Sequence, residues 1–136
     1  MTNLISGGCL CGMVEFELEN KFDRLYFCHC TQCRQLSGSI HAANLFGHLN
    51  QFRWLSGQSK VVHYKHPNRD FSNAFCGSCG SGVPYVNEAK TMITVRAGSL
   101  RGEPLFDGQL VIFAHEKPAW ANSLDTAKVF DGFPDD

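Results

Sequence analysis

The chain has 136 residues, a formal net charge of -1 and the composition of an ordinary globular protein. This length predicts one domain over residues 1–136 that can bury a core, and the near-neutral charge argues against general binding of DNA or RNA. No segment resembles a secretory signal, and no apolar run approaches the roughly 18 residues of a membrane span. We therefore expect no membrane association and a cytoplasmic location.

Short runs with the two-residue period of β-strands follow one another along the chain. Residues 14–19 alternate apolar side chains with glutamates, which predicts a strand with one buried face. The same period recurs over residues 52–54 and 71–76. Residues 91–97 and 110–114 are more continuously apolar and favour interior strands.

One helical turn is predicted directly after Cys30, and Gly38 would end it. No stretch shows a sustained 3.6-residue period, and turn residues separate the strand-like runs. Together these features predict an antiparallel all-β domain with few or no helices. Its core would span about residues 8–120, and residues 125–136 would form a polar, loosely attached tail in which Phe130 and Phe133 could still pack.

Seven cysteines in three tight clusters are the most informative feature of the sequence. The clusters are Cys9 with Cys11, then Cys28, Cys30 and Cys33, then Cys76 with Cys79. An odd number of thiols cannot all form disulfides, and in a reducing compartment clustered thiols are read first as metal ligands. Four thiolates would close a structural zinc site, whereas three would leave one position open to water or substrate.

Spacing favours one division of these thiols. Residues two apart in an extended chain point the same way, so Cys9 and Cys11 can offer both sulfurs to one ion. Cys76-Gly77-Ser78-Cys79 is a zinc-knuckle pattern that supplies two ligands and needs two more. The favoured closed site therefore joins the first and third clusters, and the middle cluster holds an open ion. In the competing division the middle cluster joins the knuckle, and Cys9 and Cys11 remain plain thiols.

The open site has definite chemical preferences. Zinc with three cysteinates carries a formal negative charge and should acidify bound water less than zinc with three neutral imidazoles. Hydrolysis is therefore disfavoured. A soft fourth ligand such as a substrate thiol suits the site, which favours thiol chemistry on a small electrophile.

At this point the chain resembles the glutathione-dependent formaldehyde-activating enzymes. The resemblance rests on five motifs: Gly8-Cys9-Leu10-Cys11-Gly12, Cys28-His29-Cys30-Thr31-Gln32-Cys33-Arg34 with Ser37-Gly38, Phe75-Cys76-Gly77-Ser78-Cys79-Gly80-Ser81, Ala97-Gly98-Ser99-Leu100, and His115-Glu116-Lys117-Pro118-Ala119-Trp120. It spans the chain from Gly8 to Trp120 and includes all seven cysteines. The family also contains centromere protein V-like members.

The resemblance implies a β-tent of small antiparallel sheets stitched by a structural zinc. It assigns four cysteines to that zinc (Cys9, Cys11, Cys76 and Cys79) and three to a catalytic zinc (Cys28, Cys30 and Cys33). It further implies a zinc-dependent carbon-sulfur lyase with two Zn²⁺ per chain. Since a site with three ligands should be emptied more easily than one with four, we expect the second ion to be labile. Its substrate would be a small thiol, glutathione foremost, forming or releasing an adduct such as S-hydroxymethylglutathione. Arg101 departs from the pattern, because the family often has Asp after the Gly-Ser-Leu.

Other polar residues offer weaker candidates. Arg34 could pair with a substrate carboxylate or offset the negative charge of the open site. His115 is the best candidate for a distant acid or base, because it opens the last matched motif. His29 should point away from the ligands on either side of it, and Trp120 should be core or a pocket wall.

The alternative function is a non-catalytic zinc-binding module that recognises a protein partner. In that case the middle cluster would be a second closed site, with a fourth ligand such as His29.

Overall fold

A computed structural model describes residues 3–134 and consists of short strands with one short α-helix. The strands are β1 (Leu4–Gly8), β2 (Glu15–Glu19), β3 (Phe22–Cys28), β4 (Ala42–His48), β5 (Phe52–Ser56), β6 (Val61–Lys65), β7 (Ser72–Cys76), β8 (Tyr85–Val86), β9 (Met92–Arg96), β10 (Leu100–Arg101) and β11 (Phe106–Ile112). The helix is α1 (Thr31–Ser37), and 3₁₀ turns cover Leu49–Gln51, Gln58–Lys60, Ala97–Ser99, Ala114–Glu116 and Ala119–Thr126.

The strands form three small sheets, which confirms the expected all-β architecture. Their orders are β10-β1-β2-β5, β11-β3-β4-β9-β8 and β6-β7. Every pair is antiparallel except β3 with β11, which run parallel with Phe22 opposite Phe106 and Cys28 opposite Ile112. The expectation of a purely antiparallel domain is wrong for this pair. Its strands are far apart in the sequence, so no hairpin turn dictates their relative direction.

The main core lies between the two larger sheets. It is built from buried side chains of five strands: Ile5, Phe16, Leu18, Phe22, Leu45, Ile93 and Val95. The alternation over residues 14–19 therefore does bury one face, since Val14, Phe16 and Leu18 are all at most 1% exposed. Burial of this apolar surface is the main term that stabilises the fold.

Of the two apolar runs predicted as interior strands, only one is interior. β9 lies between β4 and β8, and Ile93, Thr94 and Val95 are buried. β11 instead forms an edge of the five-stranded sheet, where Val111 is 57% exposed. Apolar composition does not distinguish an interior strand from an edge strand, because it does not show whether a strand has hydrogen-bonded neighbours on both sides or on one side only.

The predicted helical turn after Cys30 is confirmed as α1. Cys30 is the N-cap residue, and its Sγ accepts a hydrogen bond from the backbone N–H of Cys33 at 3.4 Å. Gly38 ends the helix in the left-handed conformation (φ 63°) and donates its N–H to the carbonyl of Arg34. This use of glycine at a helix end is common, since glycine adopts positive φ without a steric penalty.

The segment after β11 lies on the surface. Trp120 is 59% exposed, so its prediction as a core residue is wrong, and the 3₁₀ turn Ala119–Thr126 buries only Ala121. Val129 and Phe133 are almost fully exposed, so Phe133 does not pack this tail down. None of the helices formed by residues 3–134 is long and apolar enough to cross a membrane.

Candidate metal centres

The structure gathers the seven cysteines into a group of four and a group of three. The four-cysteine cluster contains Cys9, Cys11, Cys76 and Cys79, and the three-cysteine cluster contains Cys28, Cys30 and Cys33. Within each cluster the sulfurs lie within 4.8 Å of one another. This is the division that spacing favours, and the competing division, with Cys9 and Cys11 left alone, is not the one formed. Both clusters could bind metal ions.

The four-cysteine cluster has the dimensions of a tetrahedral thiolate site. The Sγ atoms of Cys9 and Cys11 are 3.6 Å apart, and those of Cys11 and Cys76 are 3.9 Å apart. A tetrahedron of sulfurs around zinc, with bonds near 2.3 Å, has edges of about 3.8 Å. The donor set therefore fits an ion that prefers four soft ligands.

Hydrogen bonds to sulfur stabilise thiolates in this cluster. The backbone N–H of Val14 donates to Sγ of Cys9 at 3.3 Å, and that of Ser78 donates to Sγ of Cys76 at 3.4 Å. Hydrogen bonds from the Ser81 hydroxyl, whose Oγ is 3.2 Å from Sγ of Cys79, and from the backbone N–H groups of Ser81 and Cys11 lower the pKa of the Cys79 thiol to about 5. Such contacts hold ligands in place and favour their charged form.

The cluster also joins two distant parts of the chain. Cys9 follows β1 in a tight turn, whereas Cys76 ends β7 and is fully buried with Val14, Ala74 and Val83. Cys9 and Cys76 belong to this small core, so the cluster is part of the packing of the protein.

The three-cysteine cluster is equally buried but has fewer ligands. Cys28 ends β3, Cys30 caps α1, and Cys33 lies in the first turn of that helix. All three are at most 8% exposed, and burial raises the pKa of the Cys33 thiol. Three thiolates in such a place require a nearby positive charge, which a metal ion would supply.

His29 does not complete this cluster. Its ring Nδ1 lies 2.9 Å from the carbonyl oxygen of Ile40, to which it donates, and its backbone N–H donates to the carbonyl of Ile112 at 3.1 Å. No histidine, carboxylate or further cysteine within residues 3–134 joins the three sulfurs. The expectation that His29 points away from the ligands thus agrees with the structure.

Arg34 forms hydrogen bonds with the segment that carries the three-cysteine cluster. Its Nε donates to the carbonyl of His29 at 3.2 Å, and one terminal nitrogen donates to Oγ1 of Thr31 at 3.4 Å. Both contacts connect α1 to the segment that carries the ligands. The guanidinium is therefore engaged with the protein itself.

His115 lies away from the cysteines, on the surface. Its side chain is 78% exposed, and its Nε2 is 3.7 Å from a carboxylate oxygen of Glu116. Glu116 is the residue in closer relation to the cluster, because its Oε1 accepts from the N–H of Thr31 at 3.2 Å and from the Thr31 hydroxyl at 3.1 Å.

Sequence reasoning missed Glu116. The available signal was its place in the last matched motif, directly after His115. The backbone N–H of Thr31 lowers the pKa of Glu116, so this carboxylate stays ionised near neutral pH.

Comparison with known proteins points to one family. A family model described as glutathione-dependent formaldehyde-activating enzyme matches residues 4–116. A solved structure of a Rhodobacter sphaeroides protein is similar with a TM-score of 0.60 and 24% identity, covering 72% of this chain and 89% of that one. This likeness shows the fold. No curated protein matches the sequence.

Proposed function

The chain belongs to the glutathione-dependent formaldehyde-activating enzyme family, and from this premise we propose that it is a zinc-dependent carbon-sulfur lyase. It would form or cleave the adduct of a thiol with a small aldehyde, with glutathione as the leading thiol and S-hydroxymethylglutathione as the adduct. Cys9, Cys11, Cys76 and Cys79 would bind a structural zinc, and Cys28, Cys30 and Cys33 a catalytic one.

One observation carries this proposal: the two clusters differ in the number of ligands. Four sulfurs satisfy a tetrahedral ion, whereas three leave a position for a substrate atom. The described residues around the second cluster add no fourth protein ligand. That difference favours chemistry at Cys28, Cys30 and Cys33 over a second structural site.

Zinc bound by these three thiolates would supply a soft Lewis-acid position at which a substrate thiol binds as its thiolate. In the forward reaction the thiolate sulfur attacks the aldehyde carbon and forms the carbon-sulfur bond, while the carbonyl electron pair moves to oxygen, which takes up a proton. The reverse reaction breaks the same bond and returns the proton.

The residues around the cluster would keep it in a reactive geometry. Arg34 and Glu116 fix the segment 29–31 from two sides, through the contacts with His29 and Thr31. Burial of Cys28, Cys30 and Cys33 limits the access of water to their sulfurs. In this proposal His115, with its exposed ring next to Glu116, exchanges the proton of the aldehyde oxygen with solvent.

The test is cobalt substitution followed by titration with glutathione and other small thiols. Cobalt accepts similar ligands, and its visible spectrum reports how it is coordinated. We expect two cobalt ions per chain and a thiol-dependent spectral change that involves about half of the signal. A second measurement follows exchange between formaldehyde and S-hydroxymethylglutathione by NMR, with and without the protein.

Two results would overturn the proposal. A second cobalt ion whose spectrum responds to no thiol would indicate a closed site. An unchanged exchange rate in a Cys30→Ser variant, compared with the unaltered protein, would place the chemistry elsewhere.

A further inference from the structure

A cavity of about 650 Å³ flanks the three-cysteine cluster. It is bounded by the end of α1, the start of β4, strands β6 and β7, and the turn 80–82. Its lining residues include Ser37, Ala42, Asn73 and Arg96. Ala42 also packs against the three cysteines, and Ser37 donates its hydroxyl to the carbonyl of Cys33 at 2.7 Å. The cavity thus adjoins the proposed reaction site directly.

Arg96 is held rigidly in the wall of this cavity. One terminal nitrogen donates to Oδ1 of Asn44 at 2.6 Å, and the other donates to Oδ1 of Asn73 at 3.0 Å. Both asparagines are buried, and the guanidinium carbon lies 5.4 Å from the centre of the Tyr85 ring. A guanidinium fixed on three sides needs little reorganisation to bind a ligand.

The partners of Arg96 are all neutral. Arg24, Arg53 and Arg101 each form an ion pair with a carboxylate. Within residues 3–134 no carboxylate pairs with Arg96, nor with Arg34 or Arg69, whose partners are also neutral. A partly buried positive charge without a counter-ion costs free energy. A carboxylate is the anion that best matches the planar, forked guanidinium.

Sheet register places Arg96 on the same face as the reaction site. Cys28 pairs with Ala42, and Asn44, two residues further along β4, pairs with Arg96. Directly paired residues share a face, and so do residues two apart on one strand. Strand spacing and rise place the Cα atoms of Cys28 and Arg96 about 12 Å apart. With side chains reaching into the gap from both ends, a small peptide can span it.

We propose that Arg96 binds a carboxylate of the thiol substrate in this cavity, so that the site selects thiols that carry a carboxylate at peptide-like distance from sulfur. This inference rests on the proposed function and adds to it the residue that recognises the carboxylate of the thiol. Glutathione, whose carboxylates lie on both sides of its cysteine, belongs to that class. Simple uncharged alkyl thiols do not.

The experiment measures binding by calorimetry to the zinc-loaded protein with three probes. Glutathione has both the thiol and the carboxylates, its diethyl ester keeps the thiol but lacks free carboxylates, and S-methylglutathione keeps the carboxylates but lacks the free thiol. We expect glutathione to bind at least about tenfold more tightly than the diethyl ester, as a charge-assisted hydrogen-bonded pair would give. S-methylglutathione should bind weakly but measurably.

Two variants and one control identify the residue responsible. Arg96→Gln should weaken glutathione to the level of the diethyl ester and abolish binding of S-methylglutathione. Arg96→Lys keeps the charge but not the fork and should restore part of the preference. Arg24→Gln removes a half-exposed arginine remote from the cysteines and should leave all three affinities unchanged.

Several outcomes would overturn the inference. It fails if the unaltered protein binds glutathione and the diethyl ester equally, a comparison that needs no variant to fold. It also fails if Arg96→Gln weakens both to the same extent, because Arg96 would then only balance the charge of the cysteines.

The proposed function can fail separately. S-methylglutathione binding that depends on Arg96, with no effect of any thiol on the cobalt spectrum, would support the carboxylate site and overturn the lyase proposal. A cobalt spectrum that changes with thiols, together with equal binding of glutathione and its diethyl ester, would support the lyase proposal and overturn the carboxylate site.

Discussion

The carboxylate of Glu116 accepts two hydrogen bonds from Thr31, one from its backbone N–H and one from its hydroxyl. Thr31 directly follows Cys30, so this contact fastens the segment after β11 to the three-cysteine cluster across 85 positions of sequence. Charge-assisted hydrogen bonds of this kind are stronger than those between neutral groups.

We predict that Glu116→Gln loosens the three-cysteine cluster without affecting the other one. Zinc should leave Cys28, Cys30 and Cys33 faster, because Thr31 and the neighbouring backbone lose their charged partner. A chromogenic chelator would resolve a fast and a slow phase of zinc release, and only the fast phase should accelerate. Glu103→Gln is the matched control, and equal acceleration of both phases would contradict the prediction.

The two clusters should respond differently to loss of a ligand. Cys76 is fully buried in the small core around the four-cysteine cluster, so Cys76→Ser should abolish cooperative folding. Cys30→Ser should keep the fold and reduce the metal content from two ions per chain to one. Circular dichroism and elemental analysis of the purified variants measure both effects. A folded Cys76→Ser protein that retains two ions would show that the four-cysteine cluster is not structural.

Stability should depend on the ionisation of His41. Burial lowers the pKa of its imidazole below the ordinary 6.5, with a further contribution from His29. The unfolded chain therefore binds a proton more readily than the folded one, and stability falls as the pH drops below about 6.5. His41→Phe should remove this dependence between pH 7 and 5.5, and the phenyl ring would pack against Phe27, which lies 4.9 Å from the histidine ring.

Chemical denaturation of both proteins across this pH range measures the effect. His63→Phe, at an exposed position on β6, is the control and should retain the loss of stability at low pH. A parallel decline in the unaltered protein and His41→Phe would show that His41 is not responsible.

Gly57 should tolerate no side chain. Its φ is 76°, and a Cβ atom there would lie 2.0 Å from the carbonyl oxygen of Met13. Gly57→Ala should lower the free energy of unfolding by at least about 3 kcal/mol, since backbone strain and a clash with the main chain add together. Urea denaturation measures this loss.

Gly38→Ala separates these two causes. Gly38 also has a positive φ, but a Cβ atom there meets nothing within 4 Å. Gly38→Ala should lower the free energy of unfolding by about 1 kcal/mol, which comes from the left-handed conformation alone. Equal losses in the two variants would mean that the contact with Met13 relaxes freely.

The parts of the fold that local sequence dictates could be predicted. Alternation revealed the buried face of β2, and Gly38 revealed the end of α1, because periodicity and glycine conformation act over a few residues. The grouping of the cysteines could be predicted from the sequence for a related reason. Residues two apart on one strand present both sulfurs to one side, so the clusters act as units.

The relationships between distant segments could not be predicted. Parallel pairing of β3 with β11, the bond from Glu116 to Thr31, and the setting of Arg96 between Asn44 and Asn73 all join residues that no local pattern connects. Each depends on which distant strands and turns pair or pack together in the folded chain. The sequence around a single arginine or glutamate does not indicate which residue its side chain will contact.

The parallel pair of β3 and β11 also affects when each cysteine cluster can close while the chain is being synthesised on the ribosome. All four sulfurs of the four-cysteine cluster have been synthesised once the chain reaches Cys79, so that cluster can close early. Cys28, Cys30 and Cys33 are made sooner still, but the wall behind them includes Ile112, which pairs with Cys28 and accepts the N–H of His29. Nascent chains shorter than about 112 residues would therefore expose three thiols that the finished protein hides. During translation the thiols of the reaction site remain open to oxidation and to the wrong metal for longer than those of the four-cysteine cluster.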